Sequence, residues 1–306
     1  MPLRIGTRGS PMALYQAGLV RDRLCAAHPT LAAEGAVELV PIRTTGDRVL
    51  RRPLAEIGGK GLFTKEIEEA LFDRRIDLAV HSLKDVETVL PAGLELGAVL
   101  TRDDPRDALV ARRGGGLAGL PQQARIGTAS LRRRAQLLRL RSDLDVVAIR
   151  GNVGTRLAKL AAGEFDALVL ALCGLERLGK AALASEILAP EVMLPAVGQG
   201  ALALECRAGD PLLRQLLLPL HDPASAACVA AERAMLAALD GSCRTPIAGL
   251  ATIAGDRLSL DALLLSFDGS AERRGRIAGP IEDAVALGGE LGARLRQGAG
   301  PEFGFG

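Results

Sequence analysis

Aromatic side chains are nearly missing from this chain: they make up 2% of its 306 residues, and tryptophan is absent. A platform that stacks single-stranded nucleic acid needs several exposed rings, so the composition argues against nucleic acid as a partner. An excess of either charge is also missing. Lys and Arg number 38 against 36 Asp and Glu, and a net charge of +2 attracts a polyanion only through a local cluster. No window of 18 or more uncharged apolar residues occurs, so no segment reads as a membrane span. The start, Met1-Pro2-Leu3-Arg4-Ile5-Gly6, enters a strand-like run without a signal-peptide apolar region, which predicts a cytoplasmic protein. The five cysteines (Cys25, Cys173, Cys206, Cys228 and Cys243) contain no CxxC pair. With only His28, His81 and His221 beside them, they predict neither a disulfide framework nor a metal site.

What is present is ordinary globular material, 48% apolar and 24% charged, in a chain long enough for two or three domains. The organising stretch is Ile76-Asp77-Leu78-Ala79-Val80-His81-Ser82-Leu83-Lys84-Asp85. Its first five residues predict a buried strand, and the polar residues after them fall at the strand's carboxyl end, where open α/β sheets bind ligands. Asp85 is therefore the candidate for chemistry, with a solvated strand exit as the alternative.

Arginines recur at strand-to-helix junctions. Leu3 to Ile5 predicts a strand, and Ser10 and Pro11 predict the cap and first residue of a helix reaching Ala27, with Arg8 beside its N-terminus. Ser130 predicts a second cap, followed by Arg132, Arg133 and Arg134 in the first turn. Arg150-Gly151-Asn152-Val153-Gly154-Thr155-Arg156 predicts a third junction. Cations at the positive end of a helix dipole run against the field, and arginine favours carboxylate or phosphate. A solvated face accounts for any one junction; all three together predict a ligand with several negative charges. Ile57-Gly58-Gly59-Lys60-Gly61-Leu62-Phe63 opens onto a helix from Thr64 to Phe72 and lacks Walker-loop spacing. Phe165-Asp166-Ala167-Leu168-Val169 echoes Ile76-Asp77-Leu78-Ala79-Val80, a hint of two similar α/β domains. A long helix from Ala224 to Leu239 predicts Gly241 at its C′ position, and the tail alternates strands with a final helix near Ile281 to Arg296. Cys243 lies in a Gly-Ser loop beside Arg244, where a thiolate would be stabilised; the other cysteines sit in apolar patterns.

Taken in order, these motifs resemble the porphobilinogen deaminase family over nearly the whole chain. The match runs through Thr7-Arg8-Gly9-Ser10-Pro11, Gly58 to Phe63, Val80 to Asp85 and Asp104-Pro105-Arg106-Asp107. It continues through Gly127 to Arg133, Arg150 to Arg156, Leu194-Pro195-Ala196-Val197-Gly198-Gln199-Gly200 and Gly241 to Ile247. Departures are small: Glu87 stands where the family has Pro, Ala129 replaces a usual Ser, and the C-terminus is short.

The resemblance implies two periplasmic-binding-protein-like α/β domains joined by hinges near residues 100 and 198, plus a small C-terminal α+β domain. The boundaries it suggests are 1–99 with 200–218, 100–199, and 219–306. It implies a monomeric transferase that joins four porphobilinogen molecules on a dipyrromethane cofactor held by Cys243, then releases hydroxymethylbilane by hydrolysis. Asp85 is then the catalytic residue. Lys60, Lys84, Asp85, Ser130, Arg132, Arg133 and Arg156 hold the cofactor, and Arg8, Ser10, Phe63, Arg150, Arg156 and Gln199 meet the substrate. Two other classes stay in view. A non-catalytic small-anion solute-binding protein of the same two-domain architecture needs neither Asp85 nor Cys243. A transcriptional effector would carry a helix-turn-helix before the first strand, and none is seen.

Overall fold

The computed structural model describes residues 2–48, 61–241 and 245–304. In chain order the elements begin with β1 (Leu3–Arg8), α1 (Pro11–Ala27), β2 (Val37–Ile42), α2 (Thr45–Arg48), α3 (Lys65–Phe72), β3 (Leu78–Ser82) and β4 (Leu94–Val99). There follow β5 (Asp107–Ala111), β6 (Arg125–Gly127), α4 (Leu131–Leu140), β7 (Asp145–Val147), α5 (Val153–Ala161), β8 (Ala167–Ala171), α6 (Leu172–Arg177) and β9 (Glu186–Leu188). The last part is β10 (Leu202–Arg207), α7 (Pro211–Leu217), α8 (Pro223–Ala238), β11 (Ile247–Ala254), β12 (Arg257–Leu265), β13 (Glu272–Pro280) and α9 (Ala284–Arg296).

The chain divides into two compact units. The first holds the N-terminal residues, the segment ending at Arg102 and Ala201–Ala226. Its sheet has the order β2-β1-β3-β10-β4, with β1, β2 and β3 parallel and β10 antiparallel to both neighbours. Ser10 does start α1: its Oγ accepts the Ala13 N–H at 3.2 Å, and Pro11 occupies the first turn. Ala13, Gln16, Ala17, Val20 and Leu24 form the buried stripe of α1, at helical spacing. Fully burying Val20 and Leu24 against the sheet contributes about 1.5–3 kcal/mol each.

The second unit holds Asp103–Gly200 and the chain from Ala227 onward. Its first sheet, β7-β6-β8-β5-β9, repeats the pattern, with β6, β7 and β8 parallel and β5 antiparallel to β8 and β9. Its second sheet is the antiparallel β11-β12-β13. A shared cluster of Ala135, Leu194, Ala248, Leu250, Leu263 and Leu265 ties α4 to this small sheet. The expected class, two α/β sheets followed by an α+β segment, is therefore what the chain forms.

The echo between the halves is deeper than the apolar runs indicate. Arg4-Ile5-Gly6-Thr7 and Arg125-Ile126-Gly127-Thr128 are identical in sequence. In each unit this Arg N–H donates to the carboxylate of the Asp just before the parallel neighbouring strand, β3 or β8: Arg4 to Asp77 at 3.0 Å and Arg125 to Asp166 at 2.9 Å. Each Asp N–H donates back to the Arg carbonyl, at 2.9 and 2.8 Å. Gly6 and Gly127 admit the residue before that Asp: a Cβ would stand 2.2 Å from Ile76 Cδ1 and 3.0 Å from Phe165 Cδ1. The clamp also explains why β3 begins at Leu78, two residues later than the apolar run predicts.

One cap differs from expectation. The left-handed residue after α8 is Asp240, with φ 50°, and Gly241 follows it. The Gly241 N–H reaches Leu236 O and the Asp240 N–H reaches Ala237 O, both at 2.9 Å, which is the Schellman pattern with Asp240 at C′. Gly241 is small for packing reasons, since a Cβ would lie 2.4 Å from Ile247 Cδ1.

Candidate active site

In the first unit the carboxyl ends of β1 and β3 carry the expected groups. Leu83 is buried, and its N–H donates to Ala201 O at 3.0 Å; the Val86 N–H donates to Leu83 O at 3.0 Å. That pinned single turn, Leu83–Asp85, leaves the Asp85 side chain 37% exposed. Arg8 Nη1 lies 3.9 Å from Asp85 Oδ2. The other edge of the guanidinium grips Asp47 of α2, which no sequence motif singled out. Arg8 Nη2 donates to Asp47 Oδ1 at 2.5 Å and Nε to Oδ2 at 3.3 Å. The Thr44 hydroxyl donates to Asp47 Oδ2 at 2.8 Å. Burial works to raise Asp47, but the Arg8 bond and charge outweigh it and hold the carboxyl below its usual range. Phe63 stacks on Arg8, 4.1 Å from guanidinium carbon to ring centre. Arg8, Phe63 and Asp85 are thus brought together, with Asp47 as an unexpected fourth member.

Other groups of the organising stretch turn inward. Ser82 exchanges hydrogen bonds with the buried Gln16 at 2.8 and 3.2 Å. His81 is buried on the α3 side of the sheet, its Nε2 3.0 Å from Oε2 of the fully buried Glu205 on β10. Glu68 of α3 is buried as well, and burial raises its carboxyl, with the charge of Glu205 adding to the effect. Glu87, the departure from the family's proline, accepts the Gly61 N–H at 2.6 Å.

The second unit gathers its arginines on Asp107, the first residue of β5, which is fully buried. Arg132 Nη2 donates to Asp107 Oδ2 at 2.7 Å, and Arg133 donates to Oδ1 from Nη2 at 2.7 Å and from Nε at 3.0 Å. Gln199 Nε2 adds a bond to Oδ1 at 2.8 Å, and Gln199 Oε1 accepts from Arg133 Nη2 at 3.3 Å. Burial would raise Asp107, but the charges of Arg132 and Arg133 reverse this and lower it to about 2. The anion these helix-start arginines meet is therefore the protein's own. Ser130 caps the same helix, its Oγ accepting the Arg133 N–H at 3.3 Å. At the next junction Gly151 has φ +111° and a Cβ there would meet Thr155 at 2.8 Å, so glycine is required. Arg156 Nε donates to Gly151 O at 2.8 Å, and Asn152 Oδ1 caps α5 through the Thr155 N–H at 2.8 Å. Burial draws the Arg150 guanidinium below its ordinary value.

Lys60 and Cys243 lie outside the described residues. Of the other cysteines, Cys173, Cys206 and Cys228 are buried, and burial pushes the Cys206 thiol up to about 11. Among the described residues no cluster of His, Cys, Asp and Glu suits a metal ion, and no helix is long and apolar enough to cross a membrane.

Known proteins can now be set beside this geometry. Residues 3–215 match the family model described as porphobilinogen deaminase, dipyromethane cofactor binding domain. Residues 226–297 match porphobilinogen deaminase, C-terminal domain. A porphobilinogen deaminase from Syntrophotalea carbinolica (strain DSM 2380 / NBRC 103641 / GraBd1) is 52% identical over 293 residues, 96% of this chain and 92% of that protein. Solved structures resemble the chain only loosely. A putative methionine-binding lipoprotein from Bacillus subtilis subsp. subtilis str. 168 gives a TM-score of 0.43 at 13% identity, over 72% of this chain and 90% of that one. The periplasmic aliphatic sulphonate binding protein SsuA from Escherichia coli gives 0.42 at 15%, over 78% and 70%. Likenesses of that size say nothing about what this chain binds. The family models and the close relative do: the chain belongs to the porphobilinogen deaminase family, the dipyrromethane-carrying transferases of tetrapyrrole biosynthesis.

Proposed function

We propose that Asp85 is the catalytic residue of hydroxymethylbilane synthesis in this chain. Each porphobilinogen loses ammonia, which leaves a cationic carbon, and the coupling that follows passes through a second cation. A carboxylate beside the pyrrole N–H groups stabilises both and can carry the proton between them. The observation that carries this reading is the isolation of Asp85. Among the described residues its one ion-pair contact is Arg8 Nη1, at the outer limit of 3.9 Å, while the tight edge of Arg8 is committed to Asp47. Asp85 therefore keeps a partly exposed carboxylate for the substrate.

The cofactor and substrate bear carboxylates, and the residues present fit such groups. Among the described residues the buried Arg132 Nε has no hydrogen-bond partner, and the dehydrated surroundings of Arg150 favour an approaching anion. Dipyrromethane, when bound, supplies the primer to which porphobilinogen units are joined. We assign its attachment to Cys243 and its carboxylates to Lys60, Lys84, Ser130, Arg132, Arg133 and Arg156. Arg8, Ser10, Phe63, Arg150, Arg156 and Gln199 are assigned to porphobilinogen. For Arg132 and Arg133 this role requires a ligand carboxylate to share or exchange the Asp107 contact. The finer division into 1–99 with 200–218, 100–199 and 219–306, a monomeric state and a cytoplasmic location belong to the same reading.

The test is Asp85→Asn. Intact-mass analysis should show one dipyrromethane, mapped to Cys243, in both variant and wild type. Single-turnover ammonia release should fall by about 10²–10³. Release at the wild-type rate from a folded, loaded variant would assign the acid–base work elsewhere.

A further inference from the structure

We propose that Asp47 is a positioning residue of the catalytic centre: it occupies the bidentate edge of Arg8 and thereby keeps Arg8 from closing onto Asp85. The inference rests on the assignment of Asp85 above and adds a residue that assignment does not contain. Arg8 faces two carboxylates and satisfies them unequally. Asp47 takes Nη2 and Nε at 2.5 and 3.3 Å, whereas Asp85 stands 3.9 Å from Nη1. The inequality is built in from both sides. Thr44 anchors Asp47 through its hydroxyl at 2.8 Å, and the Phe63 ring fixes the guanidinium plane from one face.

Among the described residues the charged groups near Asp85 include Arg8 on β1, which also holds Asp47 of α2, with Lys84 beside it in the same turn and Glu87 two residues on. Were Asp47 neutral, Arg8 would find its planar, two-point partner in Asp85. A carboxylate held that way has its charge cancelled and its lone pairs engaged. It would serve poorly as counter-anion to the cationic carbon formed when ammonia leaves. Asp47 thus acts on the reaction through Arg8 and touches no reacting atom.

Asp47→Asn keeps the shape and one acceptor but removes the charge. With cofactor content confirmed by intact mass, kcat is expected to fall at least about tenfold, any rise in KM reflecting the displaced Arg8, and Asp47→Glu should retain more than Asn. In an Arg8→Gln background no guanidinium is left to migrate, so Asp47→Asn should then change kcat by less than about twofold. Should Asp47→Asn fail to fold, Thr44→Val loosens the same anchor and must give a smaller kcat loss of the same kind. Wild-type kcat in Asp47→Asn (or in Thr44→Val, where that stands in), a loss confined to KM, or a kcat loss undiminished without Arg8 overturns the proposal. The Asp85 assignment is judged separately. A dead Asp85→Asn beside a fully active Asp47→Asn refutes only the role of Asp47, and an active Asp85→Asn refutes the reading beneath it.

Discussion

Replacing Asp107 with Asn is the sharpest test of how the second unit manages its arginines. The side chain is fully buried and accepts four bonds: one from Arg132, two from Arg133 and one from Gln199, between 2.7 and 3.0 Å. Asn would turn an N–H₂ toward one guanidinium and leave two buried cations without an anion. Breaking a buried ion pair by removing one partner costs about 3–5 kcal/mol. Burial opposes the ionised form of Asp107, but Arg132 and Arg133 prevail and lower it from 3.8 to about 2. A carboxyl depressed in the folded state contributes stability above its unfolded value and loses it as pH falls through the folded one. The contribution here is roughly 2 kcal/mol, present above about pH 4 and gone near pH 2. The assay is urea unfolding of the whole chain at pH 7 and pH 3. With an m of about 3 kcal/mol/M, the variant midpoint should drop by about 1 M or more at pH 7, and the gap should narrow at pH 3. Adding Arg132→Met to Asp107→Asn should recover part of the loss, because one uncompensated charge is removed. A pH 7 midpoint within about 0.2 M of wild type would refute the reasoning.

Two further outcomes follow from the same side-chain contacts. Burial raises Glu68, so its ionisation costs folded-state stability as pH rises past its unfolded value; Glu68→Gln should raise Tm at pH 7 by a few degrees and lose the advantage at pH 4, and a lower Tm at pH 7 would refute this. Arg150→Leu and Arg156→Leu should each weaken porphobilinogen binding about ten- to a hundredfold and reduce cofactor content, read by substrate titration and intact mass.

The local signals were legible because they act over a few residues. Ser10, Ser130 and Asn152 each accept the N–H three residues on, and each starts the helix that its loop announces. Long-range partners were not legible. Arginines at helix starts correctly demanded anions, but nothing in spacing shows that Asp47 and Asp107 arrive from elsewhere in the chain to supply them. His81 was misleading for the opposite reason. It stands four residues before Asp85 at the carboxyl end of β3, yet its side chain is buried and meets Glu205, a partner 124 positions away. The Asp240 cap was missed because glycine is the usual left-handed residue, whereas here packing against Ile247 uses up the glycine one position later.

The internal repeat explains why one carboxylate, and not two, carries the proposed chemistry. Both units are built on the same Arg-Ile-Gly-Thr strand clamped to an Asp at the head of its parallel neighbour, β3 or β8. Counting on from that Asp, Asp85 lies eight residues beyond Asp77, and Gly174 lies eight residues beyond Asp166. His81, Ser82 and Lys84 correspond likewise to Leu170, Ala171 and Cys173. In the second unit this stretch closes into α6 with Leu172, Cys173 and Leu175 buried, so the strand exit there is spent on packing. What the second unit presents instead is cationic: Arg132 and Arg133 on Asp107, then Arg150 and Arg156 at the following junction. A common frame has thus been specialised at its loop ends, the first unit toward an acid held near an already committed arginine, the second, on the reading proposed above, toward gripping carboxylates. That division follows from which ends kept polar residues, since the strands and clamps beneath them are alike.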